Sequence, residues 1–294
     1  MSSPALPHDA ATVVLLRDGA ASASGALEAL MVRRKKGAAF MADAFVFPGG
    51  RVDDEDDVGH PVVGSDAIDP RTIAEAGGDR AHAVTLAIAA IRELFEEAGV
   101  LLAVDGRGAL VSDNLTPEIV DGRRAVHDGT RGLRELAAEL DLWLPVDALT
   151  FFARWITPET EARRFDARFY LARMPPGQTA AHAEAELCEH RWATPQQLLS
   201  DPSVSLPPPT RWHLDDLARH ATVEQALAWA RARPVATVRP KLVAIDGAPA
   251  IVLPWDPEYP SFPGENFVIA GDHPTAGPIT RFLLIDGRWV GRAG

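Results

Sequence analysis

Apolar positions recur along this chain in two periods, one suited to strands and one to helices. Residues 11–17 (Ala-Thr-Val-Val-Leu-Leu-Arg) and 27–33 (Leu-Glu-Ala-Leu-Met-Val-Arg) are strand-like runs separated by a Gly-, Ala- and Ser-rich turn, which predicts a hairpin. Phe45-Val46-Phe47 is a short apolar run ending in Pro48-Gly49-Gly50, the pattern of a buried strand entering a tight loop. The period then changes. Over residues 82–98, Leu86, Ala89, Ala90 and Leu94 recur at helical spacing, and Gly99 supplies the stop, because glycine tolerates the left-handed conformation found just past helix ends. Residues 100–103 read as a strand, 109–132 as polar chain without a clear period, and 133–140 as a helix. Residues 150–156 and 165–174 read as aromatic-bearing core strands. Beyond Pro207-Pro208-Pro209 the spacing predicts helices over 210–220 and 223–233, with Thr210 and Thr222 as N-caps. Asp246-Gly247 and Asp286-Gly287 each lie between apolar runs and signal type I′ hairpins in a β-rich tail.

One polar feature of the long helix needs its own account. Glu93, Glu96 and Glu97 stand at i, i+3 and i+4, so they share a face, and like charges there repel unless a cation lies between them. Magnesium suits such a set, being a hard ion held by a few carboxylates together with substrate phosphates. On an ordinary solvated helix the same run would be plain helix-forming glutamate. The upstream Pro-Gly-Gly turn gives the run a partner.

Composition narrows the chemistry further. The 294 residues, 47% hydrophobic and 24% charged, suffice for one large domain or a domain with an extension. A net charge of −12 argues against a nucleic-acid surface, which rests on Lys and Arg neutralising phosphates. A small anionic substrate would then need local cations or a bridging metal. Cys188 is the single cysteine, which excludes an intramolecular disulfide, a zinc knuckle and a redox pair; it fits a reducing compartment, and the cytoplasm is the expected location. The first seven residues lack the basic and apolar segments of a secretory signal. The longest apolar stretch, residues 83–91, is far short of the roughly 20 residues that span a bilayer, so no membrane partner is expected.

Phe45-Val46-Phe47-Pro48-Gly49-Gly50 followed by Arg92-Glu93-Leu94-Phe95-Glu96-Glu97-Ala98-Gly99-Val100 resembles the signature of the Nudix hydrolase superfamily, which cleaves diphosphates linked to another moiety. In that signature the second glycine usually precedes the arginine by about 14 positions. Here Gly50 and Arg92 are 42 apart, so about 28 residues are inserted and the box is split. The first glutamate of the pattern falls on Asp56 counted forward from Gly50, and on Val84 counted back from Arg92. The insert, about residues 51–80, opens with Asp53-Asp54-Glu55-Asp56-Asp57, contains Gly64, Pro70 and Gly77-Gly78, and reads as a polar loop. Phe40-Met41-Ala42-Asp43-Ala44 ahead of Phe45, the split box, Trp155-Ile156-Thr157-Pro158 and Arg163-Arg164-Phe165-Asp166-Ala167-Arg168-Phe169-Tyr170 narrow the resemblance to the branch of the eukaryotic peroxisomal coenzyme A diphosphatase with an inserted Nudix box.

The resemblance implies an α/β fold: a Nudix-type α/β/α sandwich with a mixed sheet, a long insert within the box and a β-rich C-terminal extension, divided as 8–235 and 236–294. It makes Glu96 and Glu97 the metal-binding pair, the Gly50 carbonyl a main-chain ligand, and Glu93 either a further ligand or the base that activates water. Arg92 would fix the rotamer of a neighbouring glutamate. Glu186, with Glu189 as the alternative, is the candidate for a further carboxylate on the metals. The implied cofactor is Mg2+, with Mn2+ as a substitute. Arg33 and Arg34 follow a strand and are candidates for a terminal phosphate such as the 3′-phosphate of coenzyme A; Phe45 is a candidate for stacking on adenine, and Arg164 for a further substrate contact. The expected activity is hydrolysis of coenzyme A or acyl-coenzyme A to adenosine 3′,5′-bisphosphate and (acyl-)4′-phosphopantetheine. ADP-ribose or NADH are alternative substrates, and a non-catalytic ligand sensor is an alternative that the three retained glutamates disfavour. The expected partner is a small nucleotide, and dimerisation is an expectation carried from the family.

Overall fold

The computed structural model describes residues 5–19, 26–37, 41–57, 59–183, 187–267 and 279–294. In chain order the elements are β1 (His8–Asp18), β2 (Leu27–Arg34), β3 (Phe45–Val46), β4 (Gly49–Arg51), β5 (Val62–Val63), α1 (Pro70–Glu75), α2 (Arg80–Ala98), β6 (Val104–Asp105), α3 (Pro117–His127) and α4 (Leu133–Glu139). There follow β7 (Leu142–Pro145), β8 (Thr150–Ile156), β9 (Phe165–Arg173), β10 (Leu187–Ala193), α5 (Pro195–Ser200), α6 (Pro208–Leu217) and α7 (Val223–Ala232). The chain closes with β11 (Ala236–Val238), β12 (Lys241–Ile245), β13 (Ala248–Val252), β14 (Arg281–Ile285) and β15 (Arg288–Arg292).

The main sheet runs β10-β2-β1-β9-β8-β11, with β3 on β2 and β4 on β1. It is mixed: β1 pairs in parallel with β9 from His8↔Phe165 to Leu16↔Arg173, and antiparallel with β2 and β4. The near-continuous apolar run of β1 follows from burial on both faces. Ala11, Val13 and Leu15 pack with α2 on one side, while Val14 and Leu16 pack with α6 and α7 on the other. The result is helices on both faces of a mixed sheet, the expected α/β/α sandwich. The tail forms the four-stranded sheet β12-β13-β14-β15, with left-handed turns at Asp246-Gly247 and Asp286-Gly287. Ile251, Leu253 and Phe282 join the α6/α7 core, so the extension packs on the main body. The expected division at 235/236 falls at β11, which still pairs with β8; the tail sheet begins at Lys241.

Several elements depart from the sequence expectations. The insert is more than a polar loop. Asp56 and Thr72 are buried and Ile68 enters the α2 core. Within it, α1 is capped by Asp69, which accepts the Arg71 N–H at 2.9 Å. Arg71 in turn donates to the carbonyls of Ala230 and Arg233 at 2.7 and 2.6 Å, tying the insert to the end of α7. Residues 100–103 are buried but form no strand; the Gln178 side-chain amide takes the place of a ladder partner, bonding both the N–H and the carbonyl of Leu101. The stretch 109–132 holds α3, capped by Thr116 with Pro117 in its first turn. Thr210 lies buried inside α6, whose first turn is set by Pro207 and Pro208, while Thr222 does cap α7.

Candidate active site

α2 is fixed at both ends by its own sequence. Asp79 accepts the backbone N–H groups of Ala81 and His82, and Gly99 takes φ +67° with its N–H on the Phe95 carbonyl. Between these caps Leu94 and Phe95 are fully buried, so the glutamate face is held against β4. The Gly49 N–H donates to Glu97 Oε2 at 2.9 Å. A Cβ on Gly50 would stand 2.4 Å from Glu93 Oε1, and one on Gly49 would stand 2.5 Å from the Ala11 carbonyl. Only glycine permits that double approach.

Arg92 is the hub of the arrangement, with 7% of its side chain exposed. Its Nε and Nη2 donate to the two oxygens of Asp56 at 2.8 and 3.0 Å, a bidentate pair. Nη1 donates to Glu93 Oε1 and Glu96 Oε1, both at 2.9 Å, and Nη2 also reaches the Arg51 carbonyl at 2.8 Å. Asp56 is itself buried and accepts the Asp53 N–H at 2.8 Å. On the outer side, His127 Nδ1 lies 3.9 Å from Glu96 Oε2. Arg123 donates to the carbonyls of Glu96 and Ala181, and Arg34 Nη2 lies 3.9 Å from Glu97 Oε1.

Crowding of like charges in a dry place sets the electrostatics. Burial pushes the Glu93 carboxyl up to about 8; Arg92 pulls it back, while Glu97 and Glu96 push it further. Glu96 is also raised, by burial first, against the pull of Arg92 and His127. Burial would lower the Arg92 guanidinium, but the hydrogen bonds and charges of Asp56, Glu93 and Glu96 outweigh it and hold it above its ordinary value. Arg123 is lowered to about 10, chiefly by burial, with Glu96 opposing.

The structure thus brings Gly50, Arg92, Glu93, Glu96 and Glu97 together and leaves other sequence candidates elsewhere. Glu186 lies outside the described residues. Glu189 is paired with Arg33 and Arg191. Arg33 is held between Asp43 and Glu189, at 2.7 and 3.4 Å, and Arg34 alone of the two reaches the glutamates. Phe45 is 1% exposed, with the guanidinium groups of Arg33 and Arg191 at 5.6 and 5.0 Å from its ring centre, so it is a covered core residue with no face open to adenine. Arg164 donates to the carbonyls of Thr157 and Ala5, away from the glutamates. Among the described residues, no three His, Cys, Asp or Glu side chains stand in a metal-ligating arrangement, because Glu93 and Glu96 are turned onto Arg92. Sequence reasoning missed Arg123 and His127, although their i, i+4 spacing behind a Thr-Pro cap was a usable signal.

A crystal structure of a Nudix hydrolase from Alicyclobacillus acidocaldarius matches 76% of this chain and 96% of its own, with a TM-score of 0.62 and 28% identity. The sandwich and the glutamate helix are therefore those of a Nudix hydrolase. Within that class the chain belongs to the NUDT19 Nudix domain family, which matches residues 69–217, just over half of the sequence. Acyl-coenzyme A diphosphatase NUDT19 of Xenopus laevis is 25% identical over 89% of this chain and 81% of its own length. The Gallus gallus protein of the same name is 28% identical over 81% and 75%.

Proposed function

We propose that this Nudix hydrolase cleaves the diphosphate of coenzyme A or an acyl-coenzyme A in a Mg2+-dependent reaction, with Mn2+ able to substitute. The products would be adenosine 3′,5′-bisphosphate and 4′-phosphopantetheine or its acylated form. The observation that carries the chemistry is that Glu97 and Glu93 close on the Gly49-Gly50 backbone while Glu93 and Glu96 share one buried arginine. Similarity to two vertebrate acyl-coenzyme A diphosphatases supports the substrate.

By donor type the residues suit a hard divalent cation, which would have to draw Glu93 and Glu96 from Arg92 onto a common point. All the donors are oxygens, and a close approach made possible by the missing Cβ of Gly50 sets Glu93 beside the main chain. Glu93, Glu96, Glu97, the Gly50 carbonyl and Glu186 would hold it. When bound, such an ion lowers the pKa of water and stabilises charge on phosphoryl oxygens. The protein groups do the rest. Asp56 anchors Arg92, which restrains Glu93 and Glu96, while the Gly49 N–H restrains Glu97. Glu93 would be either a further ligand or the carboxylate that takes the proton of the attacking water. Arg34, 3.9 Å from Glu97, would be the cation that meets a substrate phosphate.

The deciding experiment is product analysis by mass spectrometry after incubation with coenzyme A and MgCl2. Adenosine 3′,5′-bisphosphate and 4′-phosphopantetheine are the expected products, and they should vanish with EDTA. If coenzyme A survives while ADP-ribose or NADH is cleaved, the substrate assignment is wrong and the hydrolase class stands.

A further inference from the structure

A cavity of about 430 Å³ opens where the end of β8 meets β12 and the segment 259–267. That is within the size range of small-molecule sites. No residue of α2 or β4 lines it, so it is separate from the glutamate cluster. Its walls are mainly apolar, with Ile156, Pro158, Pro240, Leu242 and Phe262 among them.

The charges in these walls are unusual. Lys241 is 6% exposed, and its Nζ donates to the Tyr259 carbonyl at 3.1 Å, the Phe262 carbonyl at 2.8 Å and Asn266 Oδ1 at 2.6 Å. All three acceptors are neutral, so among the described residues no hydrogen-bonded carboxylate cancels this buried ammonium. Arg239 has a buried Nε without a hydrogen-bond partner among the described residues, and its Nη1 is 3.8 Å from Glu265. Arg164 completes the cations, and Glu159 and Glu265 are the acids, which leaves the lining with one net positive charge. Two aromatic faces are already occupied by cations: Lys241 Nζ lies 4.4 Å from the Tyr259 ring centre, and the Arg239 guanidinium 5.0 Å from that of Phe267. A stacked purine is therefore poorly served, and so is a polyanion.

We propose that this cavity binds a medium-chain carboxylate, with the hydrocarbon chain against the apolar walls and the single negative head at Arg239. At about 30 Å³ per water-sized unit, the volume holds on the order of a dozen heavy atoms. An apolar body with one charge-matched polar contact is the usual economy of such pockets. The proposal stands whether or not coenzyme A is the substrate of the glutamate site.

The test is isothermal titration of the full chain with decanoate below its micellar range, alongside decanol, decyl phosphate and AMP. Decanoate is expected to bind one to one, decanol about tenfold more weakly or worse, and AMP without measurable heat. Ala244→Trp, at the exposed rim of the cavity, should crowd the chain and abolish decanoate binding with an unchanged melting temperature. Lys241→Met risks unfolding the 259–266 segment, so Arg239→Gln is the head-group variant. It should weaken decanoate about tenfold and leave decanol unchanged, a split that a merely structural defect would not produce. Absence of decanoate binding, equal binding of decanol, tighter binding of decyl phosphate or AMP, or unchanged decanoate binding in Arg239→Gln would overturn the proposal.

Discussion

On the α2 face of the main sheet the buried Arg92 has four acceptors: Asp56, Glu93, Glu96 and the Arg51 carbonyl. On the opposite face His213 is fully buried between Phe152 and Phe169, at ring-centre distances of 4.7 and 4.5 Å, and neither of its nitrogens has a hydrogen-bond partner among the described residues. The nearby Asp216 keeps 3.7 Å from Arg233, too far for a hydrogen bond. The first face spends its polar groups on holding charge in place, as a reactive site requires. The second uses an imidazole as an aromatic filler, so burial drives His213 well below its ordinary value and keeps it neutral. Buried polarity is thus an organised network in one region and a tolerated guest in the other.

The sharpest way to break this contrast is to remove the hub. Arg92→Met should leave Asp56 buried without its counter-ion and cost roughly 3–5 kcal/mol in urea unfolding. A loss under about 1 kcal/mol would mean that the network holds less than its geometry implies. Glu97→Gln keeps an acceptor for the Gly49 N–H, so the fold should persist while turnover of the preferred diphosphate falls on the order of a hundredfold or more. Full activity in that variant would remove Glu97 from the metal site. The other face predicts a pH effect. His213 titrates near 6.5 when unfolded and well below that when folded, so the unfolded chain gains a proton as pH falls through 6.5. The contribution of His213 should then fall by about 1.4 kcal/mol per pH unit below that point. Asp216, raised to about 7 chiefly by burial, slopes the other way, since its folded form holds the extra proton and loses stability as pH rises towards 7. The effect must therefore be read as the difference between wild type and His213→Phe across pH 5 to 7; a flat difference would refute it. The smallest effect lies in the insert, where Asp69→Ala should remove the α1 cap and cost about 1 kcal/mol, seen as a small drop in melting temperature.

Legibility in the sequence followed the range of the interactions. Glu93, Glu96 and Glu97 were readable because helical spacing alone puts them on one face, and β1, β2, β3, β8 and β9 of the main sheet were readable from their apolar runs. The acid opposite Arg92 was not, since counting gave Asp56 from one side and Val84 from the other; only the folded chain shows Asp56 in the bidentate pair. α3 was obscured by its polar surface, although Ile119 and Val126 are buried. The strand expected at 100–103 failed because a distant side chain, Gln178, satisfies the backbone there. Phe45 and Arg164 were misplaced for a shared reason: residue type suggests what a side chain can bind, whereas its partners across the sheet decide what it does bind. In the Arg163–Tyr170 motif, Asp166 and Arg168 are likewise taken up internally, Asp166 by Arg154 at 2.7 Å and Arg168 by Asp9.

The split signature also bears on how the chain reaches its native state. Asp56 and Arg92 are 36 residues apart, about two doublings of the spacing of about eight that an unsplit box would have. Each doubling of a flexible loop adds only about 0.6 kcal/mol of closure entropy, so the excursion costs about 1 kcal/mol, less than the roughly 3–5 kcal/mol expected when one partner of the buried pair is removed. The penalty falls on kinetics instead: α2 can form from local contacts, but its arginine finds its acid only after a long loop has closed. The hub should therefore be among the later parts of the molecule to become ordered during refolding, long after the helix that carries most of it.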